Sequence, residues 1–324
     1  MSELPLLELK GAHVRYGSEG SGVSAIQGVD LKLSEGQCLG IAGESGCGKS
    51  TLSHLISGLL PEKTHLTYDS FNICGQEAPA LGSRAWRKLR GSTISMIFQD
   101  PIGTLNPFWT IGQQLKETLK FHGISTTKAN STSVAGEWLE KVHISDPGTV
   151  LERFPHQLSG GMCQRVNLAL ALCTQPKILI ADEPTTALDV TTQKTVLDLI
   201  ANLSKESGMA VLLVSHDLGA LSERSDKLMV MYAGKAMEWG ATSEIMTSPS
   251  HPYTRALLKA QPPISGPLPD KLELIHGQPP RLSKQHELCP FLNRCPSSIE
   301  ACQKTMPSIN GKSTHRRMCH LEDN

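Results

Sequence analysis

Residues 43–51 read GESGCGKST, a pattern of the form G-x-x-x-x-G-K-[ST] that dictates the structure on either side of it. A loop of this kind turns backbone N–H groups inward around a phosphate chain. It needs glycine where the backbone comes close, a strand before it and a helix after it. Both flanks are present, since CLGIA at 38–42 is apolar and strand-length and residues 50–60 follow with helical spacing. The pattern therefore predicts an α/β fold with a nucleotide on the loop. Lys49 is placed to bridge the β- and γ-phosphates, the Ser50 hydroxyl to ligate Mg²⁺ and Thr51 to reach the α-phosphate. Gly43, Gly46 and Gly48 keep the backbone open, and Glu44, Ser45 and Cys47 complete the cradle. Cys47, a thiol beside a lysine at a helix N-terminus, is expected to have a lowered pKa and to react readily, although phosphate binding does not need it.

A second acidic site stands at ILIADEP, 178–184. An apolar run ending in a carboxylate reads as a buried parallel strand that delivers Asp182 to the metal at its C-terminal edge. Glu183, the next residue, is placed to act as general base on a water attacking the γ-phosphate. Without the loop upstream, the same Asp-Glu pair would read as a strand end at a turn before Pro184.

LSGGM at 158–162 completes the set, and together these motifs resemble the ATP-binding cassette (ABC) family. The resemblance implies that Ser159, Gly160 and Gly161 cap the γ-phosphate bound to an opposing subunit. It implies that Gln99, after the strand at 94–98, is the family's catalytic glutamine and joins Ser50 and Asp182 around Mg²⁺, that Asp189 in TTALD crosses the dimer interface, and that His216 touches the γ-phosphate. Ser-Gly-Gly before a helix is also an ordinary cap and turn. Tyr16 in VRYG matches the family's adenine-stacking aromatic, a contact of about 1–3 kcal/mol by analogy with base stacking; its other reading is a strand aromatic packed on the sheet. His216 follows the apolar strand at 211–214, which favours the active site over a core position.

The implied fold is an ABC-type nucleotide-binding domain: a mainly parallel sheet, an antiparallel N-terminal β subdomain, a helical subdomain and a small cysteine-containing C-terminal extension. We place the ATPase domain at 1–250, its helical subdomain at about 100–158, and the extension at 251–324. Residues 6–35 read as short strands broken by SEGSG, 109–121 and 133–142 as amphipathic helices, 191–207 as a helix, and 227–238 as a hairpin turning at Ala233-Gly234. The helical subdomain is the part expected to meet a membrane partner.

With 324 residues, 39% hydrophobic and 19% charged, the chain is long enough for one large core and a smaller appendix. No run of about eighteen apolar residues occurs, and MSELPLLELKG lacks the basic and apolar regions of a signal peptide, so a cytosolic protein is expected. Lys plus Arg, 31, balances Asp plus Glu, 31, with no basic block, which argues against nucleic acid as a partner.

A finer resemblance is to the ATPase subunits of oligopeptide and dipeptide importers, carried by FQDPIGTLNP at 98–107, HPYTRALLKAQP at 251–262 and IHGQPPRL at 275–282. Within 262–281, PPISGPLP reads on its own only as a Pro-rich linker. The resemblance implies an ATPase coupled to transport, peripheral on the cytoplasmic face of the inner membrane. Two ATPs would be sandwiched head to tail with a second ABC ATPase subunit, working with two transmembrane permease subunits and, indirectly, an extracytoplasmic solute-binding protein. Nickel or metal-chelate cargo, and a non-transport ABC ATPase acting on DNA or ribosomes, are the alternatives.

Nine cysteines divide into two groups. Cys38, Cys47, Cys74, Cys163 and Cys173 are scattered, and those away from the nucleotide read as small buried hydrophobes. Cys289, Cys295, Cys302 and Cys319 crowd into a polar tail that something must hold. Spacings of C-x₅-C, C-x₆-C and C-x₁₆-C are not those of zinc ribbons or bacterial ferredoxins, yet four thiols suffice for a tetrahedral site. The resemblance implies a [4Fe–4S] cluster; Zn²⁺ and unliganded thiols remain open.

Overall fold

The computed structural model describes residues 5–18, 22–124, 127–185, 188–261, 274–283, 285–312 and 314–321, with the side chains of Lys128 and Val190 outside that set. The middle of SEGSG, Thr186 and Ala187 of TTALD, and residues 262–273 of the Pro-rich segment lie outside the described residues. The chain forms two compact units, Met1–Gly82 with Leu213–Asn324, and Ser83–Leu212.

The first unit opens with β1 (Leu7–Tyr16) and β2 (Val23–Leu33), antiparallel from Leu7 opposite Leu33 to Tyr16 opposite Val23. These strands are 10 and 11 residues long, not short as the sequence suggested. Register shifts between Leu9 and Ala12 let the pairing continue while Leu7, Leu9, Ala12 and Val14 stay buried on one face. After β3 (Cys38–Ala42) and α1 (Lys49–Ile56) come β4 (His65–Thr67), β5 (Ser70–Ile73) and β6 (Gln76–Glu77). They complete an antiparallel sheet of order β2-β1-β5-β6, with β4 also paired to β1.

The second unit contains α2 (Trp86–Leu89), β7 (Ile94–Ile97), α3 (Ile111–Phe121), α4 (Lys128–Lys141), α5 (Pro147–Glu152), α6 (Gly160–Leu172), β8 (Ile178–Asp182) and α7 (Val190–Ser207). The chain then enters β9 (Ala210–Val214), which neighbours β8. A capping box starts α3, with Gln113 N–H donating to Thr110 Oγ1 at 3.2 Å and Thr110 N–H to Gln113 Oε1 at 2.8 Å. Ile111, Leu115 and Leu119, one helical face, are buried against α4 and α5 with Leu139 and Val150.

Back in the first unit, α8 (Leu218–Ser222), β10 (Lys227–Tyr232), β11 (Lys235–Ala241), α9 (Thr242–Thr247) and α10 (Pro252–Lys259) follow, and the chain ends on β12 (Ile309–Lys312) and β13 (His315–Met318). β10 lies parallel to β3 and antiparallel to β11. Ala233 and Gly234 turn this hairpin with φ of 48° and 83°, the left-handed pair that suits the strands' twist. β13 pairs with β11 and with β12, so the C-terminal extension continues the first unit's sheet.

Candidate active site

In the first unit the phosphate loop runs from the end of β3 into α1. A Cβ on Gly43 would stand 2.2 Å from the Met231 carbonyl oxygen of β10, and one on Gly48, at φ 110°, 2.4 Å from that of Ala25 in β2. Only glycine lets the loop seat this deeply between those strands. Ser45, Gly46 and Ser50 are exposed at its rim, while Lys49 is buried. The Lys49 ammonium donates to the carbonyls of Gly43 at 2.7 Å and Glu44 at 3.1 Å, which fixes its charge over the cradle. Tyr16 closes one side, its hydroxyl donating to Thr51 Oγ1 at 3.4 Å. His216 is exposed after β9, and its carbonyl accepts from Gln261 Nε2 at 3.2 Å.

Cys47 corrects an expectation. Its thiol is buried, and burial pushes its pKa up against the opposing pull of the Lys49 charge. Of the other scattered cysteines, Cys163 and Cys173 are buried and Cys38 and Cys74 half-buried.

In the second unit β7 and β8 are parallel, with Ile97 opposite Ala181. Residues just beyond their C-terminal ends must therefore converge, and Gln99 Nε2 donates to Glu183 Oε2 at 2.9 Å. Glu183 has φ of 47°, a backbone state that side-chain-bearing residues rarely adopt and that clusters at working sites. Asp182 is buried at the end of β8. Ser159 caps α6, its hydroxyl accepting from Met162 N–H at 3.3 Å, and Gly160 and Gly161 form the first turn. Asp189 caps α7: Thr192 donates to it from N–H at 3.0 Å and from its hydroxyl at 2.6 Å, and these bonds lower the Asp189 pKa.

The four C-terminal cysteines line one cavity with His251 and His320. The cavity measures about 10 Å³, near the room one water needs. Burial raises Cys289 to about 11 and also lifts Cys295 and Cys319. Among the described residues no three His, Cys, Asp or Glu side chains are placed to hold one ion, so the arrangement as it stands does not fit a [4Fe–4S] cluster or Zn²⁺. What holds the tail is apolar and ionic. Phe291 is fully buried, with ring centroids 5.4 Å from Tyr232 and 5.2 Å from Tyr253, and β13 is zipped to β11.

Sequence reasoning missed Arg294 and Tyr253, which bond Glu44, and Tyr232 and Phe291, which pack beside them. Arg294 bonds both carboxylate oxygens of Glu44, at 2.7 and 3.0 Å, across 250 positions of sequence. No local pattern reports a pairing of that range; the one available signal is a lone arginine between two cysteines in CPFLNRCP.

Comparison with known proteins agrees with this geometry. Residues 26–186 match the ABC transporter family and 237–302 the oligopeptide/dipeptide transporter C-terminal region. A dipeptide transport ATP-binding protein, DppD, of Bacillus subtilis is 41% identical over 322 residues, covering 98% of this chain and 95% of the relative. Its namesake in Haemophilus influenzae is 38% identical over 317 residues, 98% and 96% of the two chains. Among solved structures, the ATP-binding cassette MJ0796, a dimer in a post-hydrolysis state bound to ADP and Pi, superposes with a TM-score of 0.65 at 26% identity, over 73% of this chain and 98% of that one. The chain belongs to the ABC transporter family as an ATP-binding subunit. No helix among the described residues is long and apolar enough to cross a membrane.

Proposed function

We propose that this chain is the ATP-hydrolysing subunit of a peptide importer, most directly one for di- or oligopeptides. The observation that carries the reading is the phosphate loop, whose buried Lys49 is held over a glycine-lined cradle by the loop's own carbonyls. Backbone N–H groups and Lys49 bind the phosphates of ATP, and Tyr16 stacks on adenine. Ser50, Asp182 and Gln99 hold Mg²⁺, which when bound screens the charge developing on the transferred phosphoryl group. Glu183, oriented by Gln99, takes a proton from the attacking water, and His216 contacts the γ-phosphate.

Ser159, Gly160 and Gly161 serve the ATP held by a second ABC subunit, with Asp189 at the dimer interface. Support comes from the exposed Ser159 and from the dimeric state of the MJ0796 relative. Closure of the head-to-tail dimer acts on two permease subunits that receive cargo from a solute-binding protein. Phe108 and Trp109, exposed to 85% and 41% ahead of α3, offer an apolar surface for a permease, which supports the reading of a chain held peripherally at the inner membrane. The peptide cargo rests on the names of the relatives and the match at 237–302. Reconstitution with its permease and binding-protein partners in vesicles tests it: dipeptides or oligopeptides should stimulate ATPase and accumulate. Stimulation by nickel chelates alone would replace the cargo.

For a metal centre, a [4Fe–4S] cluster or else Zn²⁺, the support is that the four thiols line one small cavity, although as placed they do not hold an ion. Loading would require them to draw together and ionise. Iron, sulfide and zinc analysis of anaerobically purified protein decides between the two and the metal-free state.

A further inference from the structure

We infer that Arg294 is a positioning residue for the phosphate loop, reaching from the C-terminal extension to fix Glu44 and to cancel its charge beside the nucleotide. The inference rests on the reading of residues 43–51 as the ATP cradle. Arg294 spends all five of its N–H donors. Nη1 bonds Glu44 Oε2 at 2.7 Å and Tyr232 Oη at 3.0 Å; Nη2 bonds Glu44 Oε1 at 3.0 Å and the Ile275 carbonyl at 3.1 Å; Nε bonds the His276 carbonyl at 3.0 Å. The Arg294 side chain is 5% exposed and that of Glu44 24%, so this is a partly buried, built pair and not a surface contact of small worth.

Glu44 is gripped at three points. Its carboxylate takes the Arg294 fork, its N–H donates to Tyr253 Oη at 3.0 Å, and its carbonyl accepts from Lys49 Nζ at 3.1 Å. A chain of contacts thus runs from the extension through Glu44 to the lysine of the cradle. The charge arithmetic points the same way. A carboxylate without Arg294, five positions from Lys49, would repel the polyanionic phosphates and compete for the ammonium. With Arg294 in place the pair is neutral and the Lys49 charge is left for ATP. Arg294 touches neither the attacking water nor Glu183, so its effect should fall on nucleotide affinity and not on the chemical step.

The test uses the full-length protein with MgATP. Equilibrium binding and steady-state ATPase are measured for Arg294→Ala, Arg294→Lys and the double variant Glu44→Gln/Arg294→Ala, beside Lys49→Ala. Arg294→Ala should raise Kd and KM about ten-fold with kcat at saturation within about two-fold, since a charge partner is lost and no reacting group is. Arg294→Lys, which keeps the charge but not the fork, should recover part of the loss. The double variant should bind more tightly than Arg294→Ala alone, because the stranded carboxylate has gone. If Arg294→Ala does not fold, Arg294→Gln carries the same comparison. Native ATP affinity in Arg294→Ala or Arg294→Gln, with only a lowered Tm, would reduce Arg294 to a structural staple and overturn the inference. A double variant as weak as the single would overturn it too. Normal ATP binding by Lys49→Ala would instead defeat the cradle reading itself, a separable outcome.

Discussion

Gln99 and Glu183 meet at 2.9 Å because each follows one of two neighbouring parallel strands, β7 and β8, by one or two residues. The amide donates to the carboxylate and so aims it. Gln99→Ala should therefore lower ATP turnover by about ten- to a hundred-fold, with ATP affinity within about three-fold of native. Parallel titrations of nucleotide binding and hydrolysis check this.

Cys47 should resist alkylation despite its place in the phosphate loop. Burial holds its pKa above the ordinary thiol value, which disfavours the reactive thiolate. Iodoacetamide labelling followed by peptide mass spectrometry should find exposed cysteines modified well before Cys47, and Cys47→Ala should retain ATPase activity.

His251 links stability to pH. It is buried, its Nδ1 accepts from Tyr253 N–H at 3.0 Å at the start of α10, and burial, with the charges of Arg255 and Arg317, depresses its pKa to about 3. Between pH 6.5 and about 3 the unfolded chain binds a proton there that the folded chain does not. The stabilising contribution is complete above pH 6.5 and is lost as pH falls, by at most about 1.4 kcal/mol per unit. His251→Asn, which can still cap but cannot titrate, should flatten the fall in urea-unfolding free energy between pH 6.5 and 5.

Phe291→Ala should cost about 3–5 kcal/mol, the usual penalty for an aromatic removed from a closed core. The wall of Tyr232 and Tyr253 that Phe291 completes also braces Arg294, whose guanidinium carbon lies 6.0 Å from the Phe291 ring centre. The same variant should thus weaken ATP binding, read by calorimetric titration at a temperature where it remains folded.

Legibility in the sequence followed the range of the interaction. Strand 38–42, the loop after it, the 178–182 strand and the Ala233-Gly234 turn are set by neighbours within a few residues, and their patterns name them. Residues 6–35 read as short strands broken by SEGSG; a bulged pairing carries the β1–β2 ladder past Gly11, which no single-strand pattern reveals. The tail misled in a different way. Four cysteines with little apolar material pointed first to a metal as the staple, whereas Phe291 and Arg294 are clasped by residues from β10, α10 and the phosphate loop. Cys47 was misjudged because its adjacent charge is visible in sequence and its burial is not.

Hydrolysis by Glu183 is the central claim, and single-turnover ATPase of Glu183→Gln against Lys49→Ala tests it most directly. Glu183→Gln should bind MgATP with native affinity and cleave it at least about a hundred-fold more slowly, since the base is lost and the cradle is intact; Lys49→Ala should fail to bind. Native cleavage by Glu183→Gln would contradict the assignment.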